Sequence, residues 1–207
     1  MKLVIATRNR GKAAEFEQML SAAGPVEARS LADVDDPGDF EPAETGRTFR
    51  ANACLKASAY ARHLKCWALA DDSGLAVDAL GGRPGVHSAR FAEMAGEGRG
   101  DADNNAALLR RMLDVPEAQR TARFVCVLAL ADPQGRILYT AEGAVEGTIL
   151  HAPRGSNGFG YDPLFLVPRL GVTTAQLPPE EKHAISHRGQ AMRRLRTLLE
   201  RCGLPAA

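Results

Sequence analysis

The chain has 207 residues, 45% hydrophobic and 25% charged, a length that suits one domain over residues 1–207, in two lobes at most, with the composition of a soluble globular protein. Its 26 basic and 25 acidic side chains leave a formal net charge of +1 spread along the chain, so it lacks the concentrated positive charge of a nucleic-acid binder. No apolar run approaches a membrane span, and the opening MKLVIATRNRGK meets charge too early for a signal peptide, which points to a cytoplasmic protein without membrane contact.

Residues 3–6, LVIA, make a short apolar strand that ends in TRNRGK. Phe16, Met19, Leu20 and Ala23 then recur at helical spacing until Gly24-Pro25, giving strand, turn, helix. A polar, proline-containing stretch runs from Asp33 to Gly46. Thr48 is placed to cap a helix whose stripe is Phe49, Ala53, Ala57, Tyr60 and Leu64, with Asn52 and Lys56 one turn apart on another face. WALA at 67–70 is strand-like, and LAVDAL at 75–80 extends it if the strand runs through Asp71 and Asp72. Gly81-Gly82 and Pro84-Gly85 mark a loop, and then Asp101 or Asp103 caps a helix through Leu113 that buries Leu109, Met112 and Leu113. RFVCVLALA at 123–131 is apolar on both faces, as in a central strand covered on both sides. A turn at 132–135 pairs it with a strand from Ile137 to about Thr148. The loop RGSNGFGYDP, a short run LFLV and a polar connector follow. The last helix sets Met192, Leu195, Leu199 and Cys202 on one side and carries its arginines, from Arg188 to Arg201, on a solvated face. The order of elements is α/β, with a mixed sheet that is parallel at its start and antiparallel at the hairpin. Cys54, Cys66, Cys126 and Cys202 are widely spaced and read as reduced core thiols.

Four clusters carry chemistry. TRNRGK combines the free N–H groups of a strand-to-helix turn with Arg8, Arg10 and Lys12, a combination able to grip an oligophosphate. An ordinary basic turn looks the same, and it is not a Walker A loop, because Ala6 replaces the first glycine and Ala13 follows Lys12. Asp71 and Asp72 end an apolar strand, where burial and mutual repulsion conflict unless a cation compensates, and Mg²⁺ uses one or two carboxylates plus substrate phosphates. If the strand continues, the two acids face opposite sides and only one need meet a metal; DDSG alone is more simply a solvated turn. GSNGFGYDP offers close backbone approach and Phe159 or Tyr161 to stack on a nucleobase, or else a loop anchored by a buried aromatic. Lys182, Ser186, His187 and Arg188 crowd before the last helix, and Lys and Arg, which only donate, suit a purine with ring carbonyls.

The stretches ATRNRGK (6–12), ETGRTF (44–49), ADDSGLAVDALGGRPGVHSARF (70–91), GFGYDPLF (158–165) and ISHRGQAM (185–192) follow one another along nearly the whole chain. In them the sequence resembles the noncanonical purine nucleoside triphosphate pyrophosphatases, the inosine/xanthosine triphosphate pyrophosphatase family. The resemblance implies a two-lobed α/β fold on a long mixed sheet with the active site in the cleft between lobes, and a homodimer. It also implies Mg²⁺-dependent hydrolysis of ITP, dITP and XTP to the monophosphate and pyrophosphate. Carried over by position, Thr7, Arg8, Asn9, Arg10, Gly11 and Lys12 hold the triphosphate, with Lys56 and Ser73 as further substrate contacts. Asp72 is the proton acceptor and a metal ligand. Phe159, Gly160, Tyr161, Asp162, Lys182, His187 and Arg188 form the base pocket. One departure stands out: the family often has a metal-binding glutamate where this chain has Ala43, so Glu44, Glu41 or water fills that coordination place.

Overall fold

The computed structural model describes residues 2–21, 27–31, 34 and 40–202. Ala23, the Gly24-Pro25 stop and residues 33 and 35–39 of the polar stretch lie outside them. The chain forms two compact units, one of Met1–Asp72, Cys126–Gly143 and His187–Ala207, the other of Ser73–Val125 and Ala144–Ser186.

In the first unit, β1 (Lys2–Ile5) pairs in parallel with β2 (Glu27–Ser30) and with β3 (Trp67–Val77), in register Leu3 to Trp67. Alternation on β1 feeds two cores. Leu3 and Ile5 pack with Phe16 of α1 (Arg10–Ser21), Leu69 and Leu195 of α5 (His187–Cys202), whereas Val4 and Ala6 pack with Ala53, Ala57 and Tyr60 of α2 (Phe49–Leu64). The expected Thr48 cap is present, its side chain accepting from Ala51 N at 3.1 Å, and the helix stops at Lys65 in the left-handed conformation, φ 50°.

In the second unit, α3 (Asp101–Arg111) and β6 (Phe165–Val167) contribute to a core of Leu75, Val77, Leu108, Met112, Tyr161, Leu164 and Phe165, against which Ile185 of α4 (Pro179–Ile185) packs, and β7 (Val172–Thr173) pairs with β6. β6 runs antiparallel to both β5 (Ile137–Ile149) and β7. The seven strands are ordered β2-β1-β3-β4-β5-β6-β7, with β4 (Thr121–Ala131) central as expected, and β3, β4 and β5 each give residues to both units. The five-residue turn from β4 to its neighbour β5 is short enough only for an antiparallel hairpin.

Several expectations need correction. The cap of α3 is Gly100, with no side-chain hydrogen bond, because Asp101 and Asp103 are drawn elsewhere, the latter accepting from Arg99 N at 2.7 Å. Leu113 lies past the end of α3 and is 77% exposed, while Leu108 takes the buried place. The polar connector contains β7 and α4. Of the four free cysteines only Cys126 is buried; Cys54 and Cys66 are half-buried, and Cys202 is exposed although Met192 and Leu195 of the same stripe are buried. The solvated face of α5 includes Arg193, Arg194, Arg196 and Arg201, but Arg188 is buried. Among the described residues no helix is long and apolar enough to cross a membrane.

Candidate active site

The turn TRNRGK does join a strand to a helix, since β1 ends at Ile5 and α1 starts at Arg10. Its N–H groups are partly spoken for: Asn9 Oδ1 accepts from Lys12 N at 3.0 Å, as an N-cap does, and Thr7 Oγ1 lies 3.3 Å from Asn9 N. Asn9 therefore shapes the helix start, a role its residue type advertised. Arg8 is exposed and donates to Phe40 O at 3.1 Å. Gly11 lies in the first turn of α1; Arg10 opens it, and its side chain lies outside the described residues.

β3 runs unbroken through both aspartates, so they point to opposite faces, each toward a lysine from a different helix. Asp71 shares the α1 side with Leu69 and pairs with Lys12 Nζ at 2.9 Å. Asp72 shares the α2 side with Ala68 and Ala70. Its Oδ2 accepts from Asn52 Nδ2 at 3.1 Å, and its Oδ1 lies 3.5 Å from Lys56 Nζ. Lys56 also holds Glu44 Oε1 at 2.7 Å, which brings the carboxylate next to Ala43 to the same ammonium as Asp72.

The two acids respond oppositely to the same surroundings. Burial raises the pKa of each, but for Asp71 the charges of Lys12, Lys56 and Arg188 outweigh it and hold the group at about 2. For Asp72 burial wins over Lys56, Lys12 and the Asn52 hydrogen bond, with Glu44 adding to the rise, so its pKa lies above the ordinary value. Asp71 is thus a fixed anion anchoring Lys12, and Asp72 the more basic carboxylate. Burial pulls the Lys56 pKa down, yet Asp71, Asp72 and Glu44 more than compensate, and it stays an ammonium.

Among the described residues no three or more His, Cys, Asp or Glu side chains converge as a metal cluster. A cation between Glu44 and Asp72 would therefore rely on two carboxylates, water and the phosphates of a substrate, which is the coordination habit of Mg²⁺. Both carboxylates already converge on one positive charge, the Lys56 ammonium, so the donor set fits such an ion.

His187 and Arg188 open α5 in the same unit, both buried, with Arg188 paired to Glu15 at 3.1 Å, an acid that the sequence reading passed over.

The other candidates belong to the second unit. Ser73 follows Asp72 on β3 and is half-buried. Gly74 ends the DDSG motif for packing reasons, because a Cβ there would run into Ser88 Oγ and the carbonyl of Gly85. Asp162 is 3% exposed: its Oδ2 accepts from Phe159 N at 2.9 Å and Lys182 Nζ at 2.6 Å, and its Oδ1 from Thr174 Oγ1 at 2.8 Å. The Lys182 ammonium also lies 5.0 Å from the Phe159 ring centre. Both backbone groups of Gly160 are held from α3, the N–H by Asp101 Oδ2 at 2.7 Å and the carbonyl by Asn105 Nδ2 at 2.9 Å.

Of the two aromatics offered for stacking, Tyr161 is excluded. It is 4% exposed in the core, and its hydroxyl donates to Ser88 O at 2.8 Å, so it anchors the loop. Phe159, half-buried, remains. Tyr161→Phe is expected to cost about 1 kcal/mol in urea unfolding and to leave the KM for substrate unchanged; a rise in KM without loss of stability would return Tyr161 to the pocket.

Set beside known proteins, residues 3–198 match the model of the Ham1 family. The chain belongs to the Ham1 family. Among curated relatives, the dITP/XTP pyrophosphatase of Exiguobacterium sibiricum is 52% identical over 199 residues, 96% of this chain and 97% of that one. The dITP/XTP pyrophosphatase of Geobacillus kaustophilus is 55% identical over 194 residues, 94% and 92% of the two chains. Among solved structures, a HAM1 protein from Coxiella burnetii superposes with TM-score 0.84 at 40% identity, covering 98% of this chain and 100% of its own. The mixed α/β architecture is thus that of the Ham1 structures.

Proposed function

We propose that this chain is a nucleoside triphosphate pyrophosphohydrolase that converts dITP, ITP and XTP to the monophosphate and pyrophosphate, with Mg²⁺ as its cofactor, as a cytoplasmic homodimer that clears deaminated purines from the nucleotide pool. The names of its relatives support the reaction and substrate class. The observation that carries the reading is the division of labour on β3, one acid neutralised by Lys12 and its neighbour, more basic, beside Lys56 and Glu44.

Asp72 and Glu44 would hold the divalent cation, which would supply positive charge beside the phosphates. Asp72 accepts the proton of a water that attacks the α-phosphorus, a task suited to the carboxylate whose pKa burial has raised. Lys12, oriented by Asp71, stabilises the departing pyrophosphate together with Arg8, Arg10 and the turn of Thr7, Asn9 and Gly11. Lys56 and Ser73 complete the phosphate contacts. Phe159 stacks on the base, and Gly160, Asp162, Lys182, His187 and Arg188 shape its pocket around Tyr161 as anchor. Asp162 orients Lys182 Nζ, which can only donate, and a donor there favours a 6-keto oxygen over an amino group. Sites built on such hydrogen bonds discriminate by about 10⁴ to 10⁵.

Incubation with dITP and Mg²⁺, followed by product identification, tests this reading. It predicts dIMP and pyrophosphate, with loss of turnover in EDTA. Orthophosphate as sole phosphate product, or no turnover of dITP, ITP and XTP, would overturn it.

A further inference from the structure

Asn52 is 1% exposed on α2 and uses both ends of its amide. Its Oδ1 accepts from Gly46 N at 2.8 Å and its Nδ2 donates to Asp72 Oδ2 at 3.1 Å. One partner is a donor and the other an acceptor, so the amide is locked: turned over, it would set nitrogen against N–H and oxygen against carboxylate. Gly46 lies two residues after Glu44 and has no room for a side chain, since a Cβ would meet Asn52 Oδ1 and Ala51 Cβ. One buried side chain therefore ties the backbone beside Glu44 to the carboxylate of Asp72, and with Oδ2 engaged it leaves Oδ1 turned toward Lys56.

We propose that Asn52 is a positioning residue: it fixes the rotation of the Asp72 carboxylate and the approach of the Glu44 segment to it, so that the two acids present one geometry to cation and water. The inference rests on the reading of Asp72 as proton acceptor. Asn52 acts through Asp72 and does not contact the nucleotide, so its loss lowers kcat and spares KM.

Two variants perturb the tie independently. Asn52→Leu keeps the branched shape and removes both hydrogen bonds, and Gly46→Ala displaces the amide while leaving Asn52 and Asp72 chemically intact. Each is assayed on the fraction shown folded by circular dichroism. Both are expected to lower kcat for dITP about 10- to 100-fold with KM within about threefold, and to weaken binding of Mn²⁺ to the nucleotide-free protein, read by electron paramagnetic resonance, about tenfold. Asn52→Leu combined with Asp72→Asn is expected to be no slower than Asp72→Asn alone, because the two act as a unit. If either folded variant keeps kcat and Mn²⁺ affinity within about twofold of the native chain, or if the double variant loses a further tenfold, Asn52 is only a packing residue. If Asp72→Asn itself keeps its rate, the assignment of the base fails instead, and the two failures are told apart by that control.

Discussion

Asp72→Asn is expected to hydrolyse dITP about 10³- to 10⁴-fold more slowly than the native chain, with nucleotide affinity within about threefold. The amide keeps the shape of the side chain but neither accepts a proton from water nor offers an anionic oxygen to a cation. The phosphate grip survives because Lys12 is held by Asp71, on the other face of β3. A carboxylate must be ionised to take a proton, so the native rate should fall in acid, and the residual rate of the variant should lack that acid limb. Pyrophosphate release against pH, with equilibrium binding of a non-hydrolysable dITP analogue, measures both. A near-native rate would remove Asp72 from the proton-transfer step.

Lys12→Met should lose both stability and activity, and the two losses should separate. Asp71 is 2% exposed, so removing its nearest counter-charge leaves a buried carboxylate short of compensation, at about 3 kcal/mol. The loss of a cation from the departing pyrophosphate lowers kcat/KM by about 10²-fold or more. Adding Asp71→Asn should restore the urea midpoint and not the rate. Asp71 alone contributes stability with a definite pH signature: its folded pKa of about 2 lies below the unfolded value of about 3.9. The contribution is present above about pH 4 and lost as pH falls toward 2, and Asp71→Asn should flatten that part of the curve. Recovery of both rate and stability in the double variant would show that Lys12 serves the fold alone.

Much of this site could be read from the chain because local rules met no opposition. The strand-to-helix start, the Thr48 cap and the hairpin followed from spacing and turn chemistry, and the opposed directions of Asp71 and Asp72 followed from strand alternation once β3 continued through them. What stayed hidden depends on partners distant in sequence. β2 is four residues, EARS, with no alternation to read; it is a strand because β1 lies beside it. PEEKHAI looks polar and is helical all the same, with Lys182 turned inward to Asp162. Leu108, Leu109, Met112 and Leu113 permit two buried stripes, and tertiary packing selects Leu108 and Met112 and leaves Leu113 exposed. Arg120 is the extreme case: it is 1% exposed, and its guanidinium donates to the carbonyls of Met112, Val115, Ile149 and Leu150, a role no residue-type rule would assign. Asn52 could have been suspected, since an amide one turn before Lys56 on the same helix was visible, but its two partners were not.

The central claim is that water attacks the α-phosphorus with Asp72 taking its proton, and isotope labelling tests it most directly. Hydrolysis of dITP in ¹⁸O-enriched water, with the products separated and weighed by mass spectrometry, should place one ¹⁸O in dIMP and none in pyrophosphate. Label in pyrophosphate, or in orthophosphate released step by step, would mean that a different phosphorus is attacked and would contradict the account.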